Sequence, residues 1–415
     1  MGGPGRYGGR APIAADDRLG ISGTRVSVPS QIMTAVEALG WILSALWLGS
    51  LALHVGSVAA ALSQASFRRR RAAASPARRP VSVIVPTRET EIGFRRRLEE
   101  LAGLAYPRHE VIVASERLDP ALEAAAASLP ADHRARVRCI VDGARHTFNA
   151  KVNVLLSAYR AAEHELILLT DDNVRSPPDR IDALLPYLHG EVGLVSAVAV
   201  GVEPDGLAAE VEASFMNGYG ARFLLAADRI GWSVAMGKTL LFRRGDLDRA
   251  GGILALAQGM AMDSVIRERL EAIGFKTVLA PVHASQPLGR RPFAAVLARQ
   301  LRWMAARRWH APLAFWPEPV HGWCVAGLTA GFAAQILLGG GFLAGAAGTW
   351  LVWLGVDLAC TRALRWPVFW RYPLAWTLRE LLVPALWVMT LAKRTVTWRG
   401  NTVSLRPRIA AVGRE

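Results

Sequence analysis

An apolar segment that ends directly in oxygen-bearing side chains is the strongest local signal in the chain. Residues 166–170, LILLT, are followed at once by Asp171, Asp172 and Asn173. A strand that delivers carboxylate and amide oxygens into a cleft can hold a hard divalent cation, Mg²⁺ or Mn²⁺, against a diphosphate. We therefore predict Asp171 and Asn173 as metal ligands. Asp and Asn also favour turns after strands, so a simple turn explains this segment equally well.

Two other apolar segments also end in polar residues. Pro86 and Thr87 close the segment VSVIVPT, and Glu116 and Asp119 follow the segment VIVAS. In open α/β sheets, ligands bind beyond the carboxyl ends of the strands. We therefore predict that these four residues contribute to a nucleotide site.

The segment FNAKVN offers a cation and two amides. It places Asn149, Lys151 and Asn153 at intervals of two residues. An ammonium group can neutralise phosphate charge, so we predict that Lys151 and Asn153 help to bind a nucleotide. An isolated lysine is more often a solvated surface charge, and this alternative stays open.

A single carboxylate stands near the start of a helical segment. Residues 259–270, GMAMDSVIRERL, place Asp263 before Ile266 and Leu270, which have the spacing of a core-facing helix. Capping of the helix N-terminus is the ordinary role of such a residue. The catalytic role is that of a general base, which takes a proton from a hydroxyl nucleophile.

The segment RQLRW places two arginines on one face of a helix. Arg299 and Arg302 are three residues apart and precede Trp303. Guanidinium groups suit the charge that develops on a departing nucleoside diphosphate. A basic helix that binds lipid head groups is the alternative, and the two roles are compatible. Further arginines lie nearby at Arg290, Arg291, Arg307 and Arg308.

Residues 80–315, which must position these side chains, have the pattern of an α/β domain. Apolar segments of strand length occur at residues 81–85, 111–114, 137–141, 166–170 and 193–200. Segments with helical periodicity separate the first four, at residues 94–104, 122–129 and 152–162. Strands buried on both faces that alternate with helices predict a mostly parallel sheet of the nucleotide-binding kind.

A transmembrane anchor is predicted at residues 37–64. Within residues 39–63 the only ionisable side chain is His54. As a helix this stretch is about 37 Å long, enough to cross a hydrocarbon core of about 30 Å. It is too long and too far from the N-terminus for a cleavable signal peptide. Six arginines follow by residue 79, which places the next domain in the cytoplasm.

The chain becomes apolar again over residues 320–395, where we predict membrane helices. Glycines 339–341 divide residues 322–360 into two passes. Residues 381–392 are apolar but short and flanked by charges, so we predict a re-entrant or interfacial helix there. Residues 1–30 are predicted to be a disordered leader, and residues 396–415 a basic cytoplasmic tail.

The composition agrees with a membrane enzyme. Hydrophobic residues make up 52% of the 415 residues, and Lys plus Arg (49) exceed Asp plus Glu (34) by 15. No zinc-finger spacing or aromatic-basic stripe accompanies this charge, so we expect membrane and nucleotide-phosphate partners and no nucleic acid. The high Ala, Arg and Gly content is typical of a GC-rich bacterial genome. We therefore expect a multi-pass protein of a bacterial inner membrane.

In this order the motifs resemble family-2-type glycosyltransferases of the GT-A fold, and more narrowly the ceramide glucosyltransferase family. That family carries the signature D, D, D, (Q/R)xxRW. The matching residues here are Asp119, Asp171, Asp263, Arg299, Arg302 and Trp303. FNAKVN, AGGILALAQ, YPLAWTLRE and TVTWRGNTVSLR also resemble segments of the family.

The resemblance implies an inverting transfer of glucose, or another hexose, from a UDP-sugar to the primary hydroxyl of ceramide. Asp263 would be the base, and Asp171 with Asp119 would hold a divalent cation and the UDP. Arg299, Arg302 and Trp303 would stabilise the leaving diphosphate. Enzymes that act on a hopanoid polyol or diacylglycerol share this outline, and a catalytically silent membrane scaffold on the same fold is a third possibility.

Overall fold

The computed structural model describes residues 1–3, 30–74, 77–87, 93–232, 234–259, 261–393, 395–398 and 401–404. Nearly all of the predicted leader (residues 1–30) and most of the predicted basic tail (residues 396–415) lie outside the described residues.

The described chain alternates strands and helices between long apolar helices. In order the elements are α1 (Ser30–Arg69), β1 (Val81–Thr87), α2 (Phe94–Ala102), β2 (His109–Ser115), α3 (Pro120–Ala127), α4 (Ala131–Arg134), β3 (Val137–Val141), α5 (Ala150–Ala161), β4 (Leu166–Thr170), α6 (Arg180–Leu184), β5 (Val192–Asp205), α7 (Leu207–Ser214), α8 (Arg222–Arg229), β6 (Thr239–Arg243), α9 (Arg244–Arg249), α10 (Gly252–Ala255), α11 (Met262–Ala272), β7 (Lys276–Arg290), α12 (Phe293–His310), α13 (Pro312–Phe315), α14 (Trp323–Leu337), α15 (Phe342–Ala363), α16 (Tyr372–Leu391), β8 (Thr395–Trp398) and β9 (Asn401–Ser404). A π-helical segment, Phe215–Ala221, joins α7 to α8.

Seven of these strands form one mixed sheet in the order β3-β2-β1-β4-β6-β5-β7. Strands β1 to β4 are mutually parallel, whereas β6 runs antiparallel to both β4 and β5. Strand β7 is parallel to β5, so six of the seven strands of this sheet run in one direction and β6 is reversed. The prediction of a mostly parallel sheet is therefore right, although β6 and β7 were not predicted. The α/β class itself is confirmed.

The sheet is buried on both faces, as the continuous apolar strands predicted. In β4, Leu166 and Leu168 enter the core on the α2 and α6 side. Ile167 and Leu169 enter the core on the opposite side, with α5 and α11. Because successive side chains of a strand point to opposite faces, β4 supplies both cores. The edge strand β3 is the exception to the predicted burial, since none of its residues is buried.

Three helices among the described residues are long and apolar enough to cross a membrane: α1 from Thr34 onwards, α15 and α16. Helix α14 is equally apolar but has only 15 residues. It forms a hairpin with α15 across glycines 339–341, two of which have positive φ angles that favour glycine. The expected apolar helices near the N-terminus and towards the C-terminus are thus present.

A buried ionic network joins these helices to the α/β domain. The carboxylate of Asp357 on α15 accepts hydrogen bonds from Arg222 of α8 (2.8 Å) and Arg379 of α16 (2.9 Å). Glu380, which is also paired with Arg379, accepts a bond from the backbone N–H of Trp323 at the start of α14 (2.7 Å). The two charges that precede residues 381–392 in the sequence, Arg379 and Glu380, are therefore neutralised inside the protein. The helix continues through them, so it is longer than predicted.

Candidate functional site

The side chains that follow β4 meet two lysines from other parts of the chain. The Nζ atom of Lys151, in the first turn of α5, lies 2.6 Å from Asp171 Oδ1. The Nζ atom of Lys238, directly before β6, lies 2.9 Å from Asp171 Oδ2 and donates to Asn173 Oδ1 at 2.9 Å. The carboxylate of Asp171 therefore lies between two ammonium groups at the end of β4. We call Lys151 and Lys238 the lysine pair.

The lysine pair determines the ionisation of Asp171. Burial opposes the charged form of this carboxyl, but the nearby ammonium groups outweigh that cost and hold its pKa far below the usual range. Asp171 is therefore an anion at any physiological pH. An arriving phosphate would find the lysine pair already assembled around it.

Sequence reasoning missed Lys238, although it carried a recognisable signal. The segment AMGKTLLF places a glycine and a lysine immediately before an apolar strand. Because β6 is antiparallel to β4, with Thr239 opposite Thr170, the residues before β6 lie beside those after β4. The direction of β6 could not be predicted from the local pattern, so the position of Lys238 could not be predicted either.

Asp172 and Thr87 hold the ends of two neighbouring strands together. Thr87 Oγ1 donates to Asp172 Oδ2 at 2.8 Å, and Arg97 Nε donates to the backbone oxygen of Asp172 at 2.5 Å. Pro86 and Thr87 are both buried at the end of β1. These contacts fix the position of the segment that presents Asp171 and Asn173.

Asp263 lies in the first turn of α11, but it is not the N-cap residue. Ala261 occupies the N-cap position. Asp263 Oδ2 instead accepts a hydrogen bond from the backbone N–H of Gly237 (2.8 Å), and Oδ1 accepts from the N–H of Ser264 (3.0 Å). A Cβ atom at position 237 would lie 3.2 Å from Asp263 Oδ2, so glycine permits this close approach. The carboxylate is partly exposed and oriented by backbone donors.

Residues 236–238, which we call the connecting loop, bring the predicted residues together. Lys238 contacts Asp171 and Asn173, and Gly237 contacts Asp263. Met236 packs against the apolar cluster that also receives Trp303. Two segments far apart in sequence, around Asp171 and Asp263, therefore contact one loop, and the RQLRW motif packs against the same apolar cluster as that loop.

The RQLRW motif lies on α12, where a buried carboxylate orients it. Arg299 Nη1 lies 2.8 Å from Glu212 Oε1, and Arg291 Nη1 lies 2.6 Å from Glu212 Oε2. The side chain of Glu212 has no exposed surface, so its buried negative charge needs the two arginines to neutralise it. Arg302 and Trp303 are partly buried on the same helix. The glutamate was not predicted, since nothing near it in sequence distinguishes it from an ordinary helix residue.

A separate cavity of about 220 Å³ lies beyond the ends of β2 and β3. Glu116, Arg117, Phe148 and Asn153 are among the residues that line it. Asn153 also fixes the turn before α5, because its amide exchanges hydrogen bonds with Thr147 at 2.7 to 2.9 Å. The cavity offers an aromatic ring, an amide and charged groups, and Ala150, which precedes Lys151 in the chain, also lines it.

Asp119 has a local structural role. It is the N-cap residue of α3, and its carboxylate accepts from the backbone N–H of Ala121 at 2.9 Å. It is not among the residues that line the cavity. Its predicted contact with a nucleotide stays a prediction.

A divalent cation fits this site only together with a phosphorylated ligand. Asp171 and Asn173 supply carboxylate and amide oxygens, which hard cations prefer. Among the described residues no group of three or more His, Cys, Asp and Glu side chains is placed to hold a metal. Mg²⁺ is commonly bound by one or two carboxylates with substrate phosphates and water as the other ligands. Lys238 contacts one oxygen of Asp171 and the amide oxygen of Asn173, so it would have to move for such an ion to bind.

Known proteins resemble this chain over most of its length. The model of glycosyl transferase family 21 matches residues 49–411. Ceramide glucosyltransferases 3 and 1 of Caenorhabditis elegans are 22% and 24% identical over 334 residues, 78% of this chain and 72% and 71% of theirs. Mannosyltransferase PcManGT from Pyrobaculum calidifontis, solved with GDP-Man and Mn²⁺, aligns with 86% of this chain and 99% of its own, at 20% identity and a TM-score of 0.49.

Proposed function

The chain belongs to glycosyltransferase family 21, and from this premise we propose that it transfers a hexose, most simply glucose, from a UDP-sugar to the hydroxyl of ceramide with inversion. Membership of this family makes it a nucleotide-sugar-dependent glycosyltransferase. Its mixed sheet has the predicted GT-A class. Ceramide is the acceptor named for the two relatives from Caenorhabditis elegans.

The connecting loop is the observation that carries the proposed mechanism. Its adjacent residues Gly237 and Lys238 contact Asp263 and Asp171, so a hydrogen-bonded carboxylate, suited to a hydroxyl, and the lysine pair, suited to a diphosphate, are held by the same loop. Sugar transfer needs these two groups on opposite sides of the anomeric carbon, one to stabilise the leaving diphosphate and one to take the proton of the acceptor.

The reaction is a single displacement. The acceptor hydroxyl donates a hydrogen bond to Asp263, its oxygen attacks the anomeric carbon, and its proton passes to the Asp263 carboxylate. The bond between the anomeric carbon and the diphosphate oxygen breaks at the same time, and UDP leaves with the bonding electrons. Attack opposite the leaving group inverts the configuration. Lys151, Lys238, Arg299 and Arg302 neutralise the charge that develops on the diphosphate.

The other predicted residues complete the donor site in this proposal. Asp171 and Asn173 would hold a divalent cation, Mg²⁺ or Mn²⁺, which supplies further positive charge to the diphosphate. Pro86, Thr87, Glu116, Asp119 and Asn153 are assigned to the nucleoside end. Trp303 packs against the same apolar cluster as Met236 of the connecting loop, and we assign it to closure of the site.

We further propose that the α/β domain lies in the cytoplasm, at the inner membrane of a bacterium. The arginines after α1 support this orientation by the positive-inside rule. Nucleotide-sugars are then available to the site, and the lipid acceptor reaches it from the adjacent leaflet.

Incubation of the purified protein with a matrix of donors and acceptors tests the function. UDP-glucose, UDP-galactose and UDP-N-acetylglucosamine are each combined with short-chain ceramide, a hopanoid polyol and diacylglycerol in lipid vesicles containing Mg²⁺ and Mn²⁺. We expect a hexosylceramide by mass spectrometry, with UDP-glucose as the best donor. A product formed only with the hopanoid or only with diacylglycerol would replace the acceptor assignment. Absence of any glycolipid product would favour a silent scaffold.

A further inference from the structure

Helix α16 presents a narrow apolar stripe on its outer face. Leu374, Leu381 and Val388 follow one another at intervals of seven residues, and 49%, 52% and 61% of their surfaces are exposed. Seven residues are almost two helical turns, so the three side chains lie in one line. The opposite face is packed against protein through residues that include Trp376, Val383, Leu386 and Thr390.

Both ends of α16 are bound to helices of the α/β domain. At its start, Arg371 pairs with Glu210 of α7 at 3.0 Å. At its end, Arg308 of α12 donates to the backbone oxygens of Thr390 (2.9 Å) and Leu391 (2.8 Å). These contacts satisfy carbonyl groups at the C-terminus of the helix, which have no partner within it.

The middle of α16 is bound to the same domain. Arg379 donates to the backbone oxygen of Ser214 at the end of α7 (3.2 Å). Val383 and Leu386 share an apolar cluster with Val211 of α7 and Met304 of α12. The helix therefore lies along the domain over its whole length.

This arrangement distinguishes α16 from a transmembrane helix. Its 20 residues span about 30 Å, which by length and composition is enough to cross a bilayer. A crossing helix would place its two ends on opposite sides of the membrane. Its ends instead contact α7 and α12. These two helices carry Glu212 and Arg299, the ion pair that orients the RQLRW motif.

The surroundings of the stripe identify its partner. The exposed apolar side chains of Leu313, Trp316 and Trp370 lie on the segments next to α16 in the fold or in the chain. Tryptophan is enriched where protein meets the membrane interface. Glu380 of α16 binds the first residue of the apolar helix α14, so α16 lies directly beside the hairpin of α14 and α15, of which α15 is long and apolar enough to cross a membrane.

We propose that α16 lies in the plane of the membrane, with the stripe of Leu374, Leu381 and Val388 inserted among the acyl chains of the leaflet next to the α/β domain. It thereby fixes α12, and with it the RQLRW motif, at the bilayer surface. The placement of α16 does not depend on the sugar or lipid that the site uses. Within the proposed function, it lets a lipid hydroxyl reach Asp263 without the lipid leaving its leaflet.

Depth measurements with nitroxide spin labels test this placement. In a full-length background with Cys139, Cys324 and Cys360 replaced by alanine, single cysteines at positions 374, 381 and 388 are labelled, and the protein is reconstituted in phosphatidylcholine and phosphatidylglycerol vesicles. Accessibility to oxygen and to a nickel chelate gives the depth of each label. Each of these side chains is about half exposed or more, so a label there removes little packing.

We expect the three labels to lie at equal depth, roughly 5 to 10 Å below the headgroup boundary. A transmembrane α16 would instead change the depth by about 21 Å between positions 374 and 388, and this result would overturn the proposal. Labels that are accessible to nickel at all three positions would overturn it too. Labels at the exposed positions Leu343 and Leu351 of α15 serve as the control, and their depths should differ by about 12 Å. No donor or acceptor is present, so the outcome is independent of the proposed function.

Discussion

The Asp263→Asn variant is expected to transfer sugar about 10³-fold more slowly than the wild-type protein. Asparagine keeps the shape of the side chain and can still accept the hydrogen bond from Gly237 N–H, but it cannot take a proton. Loss of a general base costs roughly 10²- to 10⁴-fold in rate. The measurement is the initial rate of glycolipid formation in vesicles at saturating UDP-sugar.

The Glu191→Gln variant is the matched control, because it removes an exposed carboxylate whose partner is the surface residue Lys276. It should leave the rate unchanged. UDP binding by the Asp263→Asn variant, measured by calorimetry, should also be unchanged, since Asp263 is assigned to the acceptor. A rate within threefold of the wild type would exclude Asp263 as the base.

The Lys238→Met variant is expected to lose about 10- to 10²-fold in kcat/KM for the UDP-sugar. Methionine keeps most of the length of the side chain but removes a charge that we assign to the diphosphate. A hydrogen bond to a charged group contributes about 1.5 to 3 kcal/mol, and each 1.4 kcal/mol corresponds to a factor of ten. Steady-state kinetics over a range of donor concentrations gives the value.

Lys276→Met provides the comparison, since that lysine is exposed and pairs only with a surface glutamate in the described structure. A thermal unfolding curve shows whether loss of the contacts to Asp171 and Asn173 also weakens the fold. Unchanged kcat/KM in a folded Lys238→Met protein would show that the diphosphate does not use this lysine.

The sequence allowed prediction of what depends on local pattern. Continuous apolar segments identified β1 to β5, because strands buried on both faces need no polar alternation. The position of Asp171 at the end of β4 followed from the same pattern. Family membership, predicted from motifs that the sequence displays in order, is confirmed by the family match over residues 49–411.

The contacts of the site required the fold. Lys238 reaches Asp171 only because β6 runs antiparallel to β4, and a strand of five residues does not reveal its direction. Gly237 appears in the sequence as an ordinary glycine before a strand, yet it is the backbone donor to Asp263. Glu212 is recognisable only by its two arginine partners, Arg291 and Arg299, both of which are far from it in sequence.

The length of α16 shows a limit of hydropathy patterns. In the sequence, Arg379 and Glu380 stand directly before residues 381–392, and these charges predict that the apolar segment starts only after them. In the structure Arg379 pairs with both Glu380 and Asp357, so the helix passes through these two charges and begins at Tyr372. The predicted interfacial placement of this segment stays a prediction, which the depth measurements test.

The central claim is that this protein moves a hexose from a nucleotide directly to a lipid, with Asp263 as the base. The most direct measurement uses UDP-[¹⁴C]glucose and vesicles that contain ceramide and the purified protein, followed by extraction into organic solvent. With the wild-type protein we expect label in the organic phase, carried by a β-linked glucosylceramide. With Asp263→Asn we expect almost no label there. Label that stays in the aqueous phase, or that enters lipid equally with both proteins, would contradict it.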